Sequence, residues 1–415
     1  MLIKGAKIID KHSPHNGTIK DILIVDGIIQ TISDYINSDH HHEIIDAKGN
    51  CISRGWFDMK VNFCDPGEEY KEDLLTGCAA AAAGGFTAVA LMPSTVPPLQ
   101  TKSQIEYIVN KTANNTVNVY PIGAVTKNLE GKELCELYDM KCAGAVAFTD
   151  DKKTIHDSGL LLRALLYAEN IESLIITFAE DNALAMQGQV NESAATTRLG
   201  FKGVPSLAEE LIVARDIQLS EYADVSIHIS CVSSAKSVEL IRAAKRKGLR
   251  VTCDVAAYSL LNTDNDLITF DSNFKVKPPL RSKADVEALR NAVADNTIDV
   301  IVSDHNPQHF ESKQVEFDYA AYGMIGLESF FGVVMNSMQN RMDLSSLMEK
   351  FTVNPRRILN LPVYELREGE PADFTIFNPN VTWTFGREHI HSKSKNTPYL
   401  GINFKGKAEK VINFA

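Results

Sequence analysis

Polar side chains recur at every second position of Asp58-Met59-Lys60-Val61-Asn62, inside the short apolar run from Gly55 to Phe63. Period two in a strand sends Asp58, Lys60 and Asn62 to one face. A buried face carrying such groups needs partners for them. Cys64 follows directly, and a second thiol, Cys231, ends the run Val225 to Cys231. A strand-end thiol could act as a nucleophile if a base stood beside it. Of the eleven histidines, only His305 falls at another strand end, so both thiols read as core or pocket groups. His389-Ile390-His391 has the spacing of a ligand pair but lies in a C-terminal β region and reads as surface. His40-His41-His42 sits in the polar stretch Asn37 to Glu43 and reads as a solvated loop.

These residues need a scaffold. Gly55 to Phe63 is a strand, Tyr70 to Gly85 a helix stopped by Gly84-Gly85, and Phe86 to Met92 the next strand. The alternation continues with strands at Val117 to Val125, Gly144 to Thr149, Leu174 to Ala179, Val225 to Cys231, Arg250 to Ala256 and Asp299 to Asp304. Helical patterns separate them, near Gln104 to Lys111, Gly131 to Asp139, Gly159 to Glu169, Leu207 to Leu219, Ala235 to Lys247 and Lys283 to Ala294. This is the pattern of an α/β fold, a (β/α)8 TIM-type barrel, whose sites lie at strand C-termini. A doubly wound sheet fits the alternation too, but no Gly-rich phosphate turn follows the first strand.

The chain ends differ from the middle. Leu2 to Ile9 and Ile22 to Ile32 alternate, the latter turning at Asp26-Gly27 as a hairpin would. Ala372 to Phe377 and Ala408 to Ile412 repeat that character. The expected organisation is a composite β-sandwich domain from residues 1–53 and 363–415 flanking a barrel of residues 54–362.

Composition narrows the partners. The 415 residues are 44% hydrophobic with a net charge of -11, which argues against nucleic acid or an anionic membrane surface. The longest apolar run, Gly77 to Met92, is broken by Gly84-Gly85 and Thr87 and suits a buried helix plus strand better than a membrane span. No basic segment leads into an apolar one at the N-terminus, and the seven cysteines form no CxxC pair. Cytoplasmic localisation is the expectation.

Several tracts, in order, carry a family resemblance: Leu91-Met92-Pro93-Ser94-Thr95, Gly123-Ala124-Val125-Thr126-Lys127, and Gly144 through Asp150-Asp151. They are followed by Lys202-Gly203-Val204-Pro205 with Ala208-Glu209-Glu210, then Pro278-Pro279-Leu280-Arg281, Ser303-Asp304-His305-Asn306-Pro307, Gly326-Leu327-Glu328 and Ser392 through Pro398. The chain resembles the dihydroorotases of the amidohydrolase superfamily, particularly their long class, over nearly its whole length. That family opens the cyclic amide of dihydroorotate in pyrimidine biosynthesis with a zinc-activated water.

Carried over position by position, the resemblance implies a degenerate site. The family's His-x-His falls on Lys60 and Asn62, its fifth-strand histidine on Phe178, and its sixth-strand ligand on Cys231, with His228 a non-ligand. The bridging carboxylate falls on Asp151 and the catalytic base on Asp304. At the substrate side, Cys64 replaces an arginine, Ser94 and Lys277 replace asparagines, and Gln308 replaces a histidine. Lys152 takes the place of a glycine, and Lys152-Lys153 reads as a solvated loop.

The resemblance thus implies a pseudoenzyme with no cofactor, and an oligomer or a complex with aspartate carbamoyltransferase. An active cyclic-amide hydrolase with an unconventional site is the alternative. Without a metal, Asp151 and Asp304 would repel each other, and Lys60 is expected to bond one or both.

Overall fold

The computed structural model describes residues 1–38 and 43–414, so His40, His41 and His42 lie outside the described residues. Parallel strands Trp56–Val61, Phe86–Leu91 and Asn118–Pro121 form one arc of a barrel, and Ile175–Phe178, Ile227–Ser230, Val251–Ala256 and Val300–Val302 form the other. The arcs join at two places. Phe148 bridges Gly123 on one side and Ile175 on the other, and Val61 pairs with His305. The chain is a (β/α)8 barrel.

The expected strand at Gly144 to Thr149 is a stave without a regular ladder. Val146 N–H donates to the Pro121 carbonyl, Phe148 N–H to Leu174 and Thr149 N–H to Gly123, so the backbone is satisfied by both neighbours in an irregular pattern. The expected helix at Gly131 to Asp139 is displaced to Leu137–Cys142, because residues before it fold back through a Thr126–Leu134 bridge.

The helices start where the chain offers caps. Asp73 accepts from the N–H groups of Leu75 and Thr76 at the head of Leu74–Ala83, and Gly84 closes it. Gly77 within this helix lies against the Phe63 ring, where an added Cβ would come within 2.4 Å. That close approach seats the helix against the end of the first barrel strand.

Both termini feed a seven-stranded sheet, ordered Asn403–Asn413, Asp373–Thr384, Cys51–Arg54, Leu2–Ile8, Ile19–Val25 and Ile28–Ser33, with Ile44–Asp46 beside Leu2–Ile8. The hairpin turn has Asp26 and Gly27 at φ 50° and 77°, the left-handed pair that a two-residue turn requires. Ile3, Ile22, Ile29, Phe374 and Ile412 belong to a core separate from that of the barrel. None of the described helices is long and apolar enough to cross a membrane.

Candidate functional site

Strand ends at the C-terminal rim of the barrel converge on two lysine–carboxylate pairs. Lys60 Nζ donates to Asp151 Oδ1 at 2.6 Å, with the two side chains only 3% and 10% exposed. Lys152 Nζ donates to Asp304 Oδ2 at 2.6 Å. Asp151 Oδ2 accepts from the Ser94 hydroxyl at 2.5 Å, and Asp304 Oδ2 also accepts from the Tyr258 hydroxyl at 2.7 Å. Each carboxylate therefore holds one ammonium and one hydroxyl.

The electrostatics follow. Burial alone would pull the Lys60 ammonium down, but the charge of Asp151, aided by those of Asp304 and Asp254, outweighs it and raises its pKa. Burial would raise the Asp151 carboxyl, yet Lys60 and Lys152 hold it below the usual carboxylate range. Both members of that pair are ionised.

Lys152 corrects an expectation. It is not on a solvated loop: the chain reverses at Asp151, where φ is 52°, and Lys152 faces Asp304 while Lys153 stays exposed. Lys60 accordingly bonds Asp151, and the hydrogen bond to Asp304 comes from Lys152.

The remaining positions surround this centre. Asn62 Nδ2 donates to Ser94 Oγ at 3.0 Å, and Asn62 Oδ1 accepts from Cys64 N–H at 2.8 Å. Phe178 is buried, with Lys277 Nζ 5.6 Å from its ring centre and 2.8 Å from Glu180. Gln308 bonds Asn306 and, through its backbone, Asn396. His228 reaches Asp254 at 2.9 Å and Thr252 at 2.8 Å, and Asp254 accepts from Cys231 N–H at 2.6 Å. His389 packs on Trp383, with ring centres 4.7 Å apart.

Neither thiol suits nucleophilic attack. Burial raises the Cys231 thiol well above its ordinary value, with the carboxylates of Asp304 and Asp254 adding to it. Burial also pushes Cys64 up to about 12. Both are protonated near neutral pH.

Cys64, Asp151, Cys231 and Asp304 share a backbone feature: all lie at φ between 50° and 59°. Left-handed non-glycine residues are sparse and cost energy unless their surroundings hold them, and they concentrate at functional sites. The mouth thus combines strained strand-end turns with internal ion pairs. Sequence reasoning missed Tyr258, Asp254 and Lys152 as members of this network. Tyr258 and Asp254 lie in or just after the strand Val251–Ala256, so a search of strand C-termini would have found them.

Residues 49–237 match the family model described as Dihydro-orotase-like. The chain is 42% identical over 410 residues to the dihydroorotase of Syntrophus aciditrophicus (strain SB), covering 98% of this chain and 96% of that protein. It is 43% identical over 409 residues to the dihydroorotase of Acetivibrio thermocellus, with 98% and 96% covered. Among solved structures, the L-hydantoinase (dihydropyrimidinase) of Arthrobacter aurescens superposes with a TM-score of 0.88 at 23% identity, covering 99% of this chain and 94% of that one. The dihydropyrimidinase of Brevibacillus agri NCHU1002 gives 0.84 at 21%, covering 99% and 93%. These two establish the fold.

The comparisons overturn the expectation of no cofactor: dihydroorotases and hydantoinases are a zinc-dependent family, and zinc is what kinship implies. The side chains present fit it poorly. No group of three or more His, Cys, Asp or Glu among the described residues is gathered as a metal would use. A cation entering between Asp151 and Asp304 would have to displace both lysines. By sequence identity over its whole length, the chain belongs to the dihydroorotase family.

Proposed function

We propose that this dihydroorotase-like protein of pyrimidine biosynthesis is a cytoplasmic pseudoenzyme that serves as a structural or regulatory partner. The observation carrying this reading is the Lys60–Asp151 pair: a buried ammonium occupies the carboxylate around which hydrolysis would be organised. Lys152 does the same for Asp304, which the resemblance marks as the proton acceptor. A carboxylate oxygen that already accepts from an ammonium and a phenol is poorly placed to take a proton from a substrate or water.

Partnership is the finer part. Scaffold tracts persist while the mouth is rebuilt, which supports a use for the fold itself, as a homo-oligomer or beside aspartate carbamoyltransferase. The division into a β unit of residues 1–53 and 363–415 and a barrel of residues 54–362 is part of the same reading.

The opposing reading, an active cyclic-amide hydrolase, is favoured by the 42% identity to dihydroorotases. Dihydroorotase assays in both directions, with and without added zinc, decide between them. No turnover is expected under either condition, and zinc-dependent turnover abolished by Asp304→Asn would overturn the proposal. Light scattering and co-purification with aspartate carbamoyltransferase test the partnership, and a lone monomer would count against it.

A further inference from the structure

A cavity of about 810 Å³ opens beside the barrel mouth, outside the lysine–carboxylate centre; Gln308 borders it, while Lys60, Asp151 and Asp304 do not. Its wall carries Lys313, Arg387, Lys393 and Lys395 against the single carboxylate of Asp271. In a chain of net charge -11 this is a local reversal of sign.

Two of the four cations on that wall, Arg387 and Lys395, are uncompensated, whereas burial pulls the Lys313 ammonium down to about 7. Lys393 pairs with Asp73. Lys395 donates only to the carbonyls of Ile390 and Ser392, and Lys313, itself 6% exposed, only to those of Ser272 and Ala321. Arg387 is exposed, and no carboxylate among the described residues pairs with it, Lys395 or Lys313. Carbonyls satisfy an ammonium's hydrogen bonds but leave its charge unbalanced, and an anion is the natural complement.

The lining is also aromatic. Phe270 and Phe310 line the cavity while 51% and 65% exposed, and Tyr70, 59% exposed, meets the His309 ring edge-on. Exposed rings beside clustered cations suit a ligand with a flat ring and several negative charges. The volume lies in the range of small-molecule sites.

We propose that this cavity binds a nucleoside phosphate, its phosphates held by Arg387 and Lys395 and its base against Phe310 and Phe270. The site is independent of whether the barrel hydrolyses anything. Titration calorimetry of the full-length protein with ATP, inorganic tripolyphosphate and adenosine, in magnesium-free buffer, tests it. ATP is expected to bind most tightly and adenosine most weakly.

The exposed positions make clean variants. Arg387→Glu should weaken ATP and tripolyphosphate at least tenfold, whereas Phe310→Ser should weaken ATP several-fold and leave tripolyphosphate unchanged. Circular dichroism spectra matching the parent protein would exclude misfolding. Absence of ATP binding at millimolar concentration, or ATP affinity unchanged by both substitutions, would overturn the proposal. Equal affinity for ATP and tripolyphosphate would overturn the assignment of a nucleoside.

Discussion

The ammonium of Lys60 and the carboxylate of Asp151 meet at 2.6 Å, from two barrel strand ends 91 residues apart in the chain. Both side chains are buried, and the Ser94 hydroxyl takes the second carboxylate oxygen. An ion pair so placed offsets its own desolvation only while both members remain. Its role is to balance charge in a rim that would otherwise hold unneutralised carboxylates.

Lys60→Ala should therefore destabilise the fold by about 3 to 5 kcal/mol, the cost of breaking a buried pair from one side. Replacing both partners, Lys60→Met with Asp151→Leu, should cost less than the single change. Urea midpoints for the three proteins measure this. A single variant within about 1 kcal/mol of the parent would mean that the pair behaves as an exposed one.

Lys152→Ala should cost about 1 to 3 kcal/mol, because Asp304 keeps the Tyr258 hydroxyl and loses one donor. The two lysines act on shared charge: Asp151 is held low by both. Their effects should be non-additive by about 0.5 to 3 kcal/mol in a double-mutant cycle. Strict additivity would show two independent pairs.

Much of the scaffold was legible in the sequence, because strand and helix periods are local properties. Asp58, Lys60 and Asn62 announced a polar strand face, and Asp26-Gly27 announced its hairpin. The stave at Phe148 was not fully legible, since its hydrogen bonds go to both neighbours without a regular ladder. At the site, Lys60 could be assigned a carboxylate because alternation fixed its strand face and the family resemblance placed Asp151 and Asp304 at the same barrel mouth. Lys152 could not: it follows a left-handed Asp151, and its partner lies 152 residues away. No glycine marks the turns at Cys64, Asp151, Cys231 and Asp304, so local sequence held no sign of their backbone conformation. The cofactor expectation failed for another reason. It weighed substituted ligand positions alone, whereas kinship is carried by the whole chain.

Stability should depend on pH through Asp58, which burial raises to about 7. The folded protein holds this proton between about pH 7 and the ordinary carboxylate range near pH 4, where the unfolded chain has released it. The folded state binds more protons there, so the group's contribution improves as pH falls from 7 towards 4 and is a penalty above 7. Asp58→Asn should be more stable than the parent at pH 8, with the advantage shrinking by pH 5. Denaturation midpoints at several pH values would show it; an advantage independent of pH would rule out titration of Asp58.

His228 offers the last test, since its ring joins two strands in a buried chain of polar contacts. Its ring nitrogens reach Thr252 and Asp254, and Asp254 in turn receives the Cys231 N–H. Burial would raise the Asp254 carboxyl, but the His228 contact, with Lys60 helping, lowers it. Its stabilising contribution is full above the unfolded carboxyl pKa and is lost as pH falls through the lower folded value. His228→Ala leaves that carboxylate buried without its main side-chain partner, which should cost about 1 to 3 kcal/mol at pH 7. The cost should fall on acidification, when Asp254 can protonate in the variant. His228→Gln, which keeps a donor of similar length, should recover part of the loss. Equal destabilisation by Ala and Gln at every pH would mean that the ring contributes by packing alone.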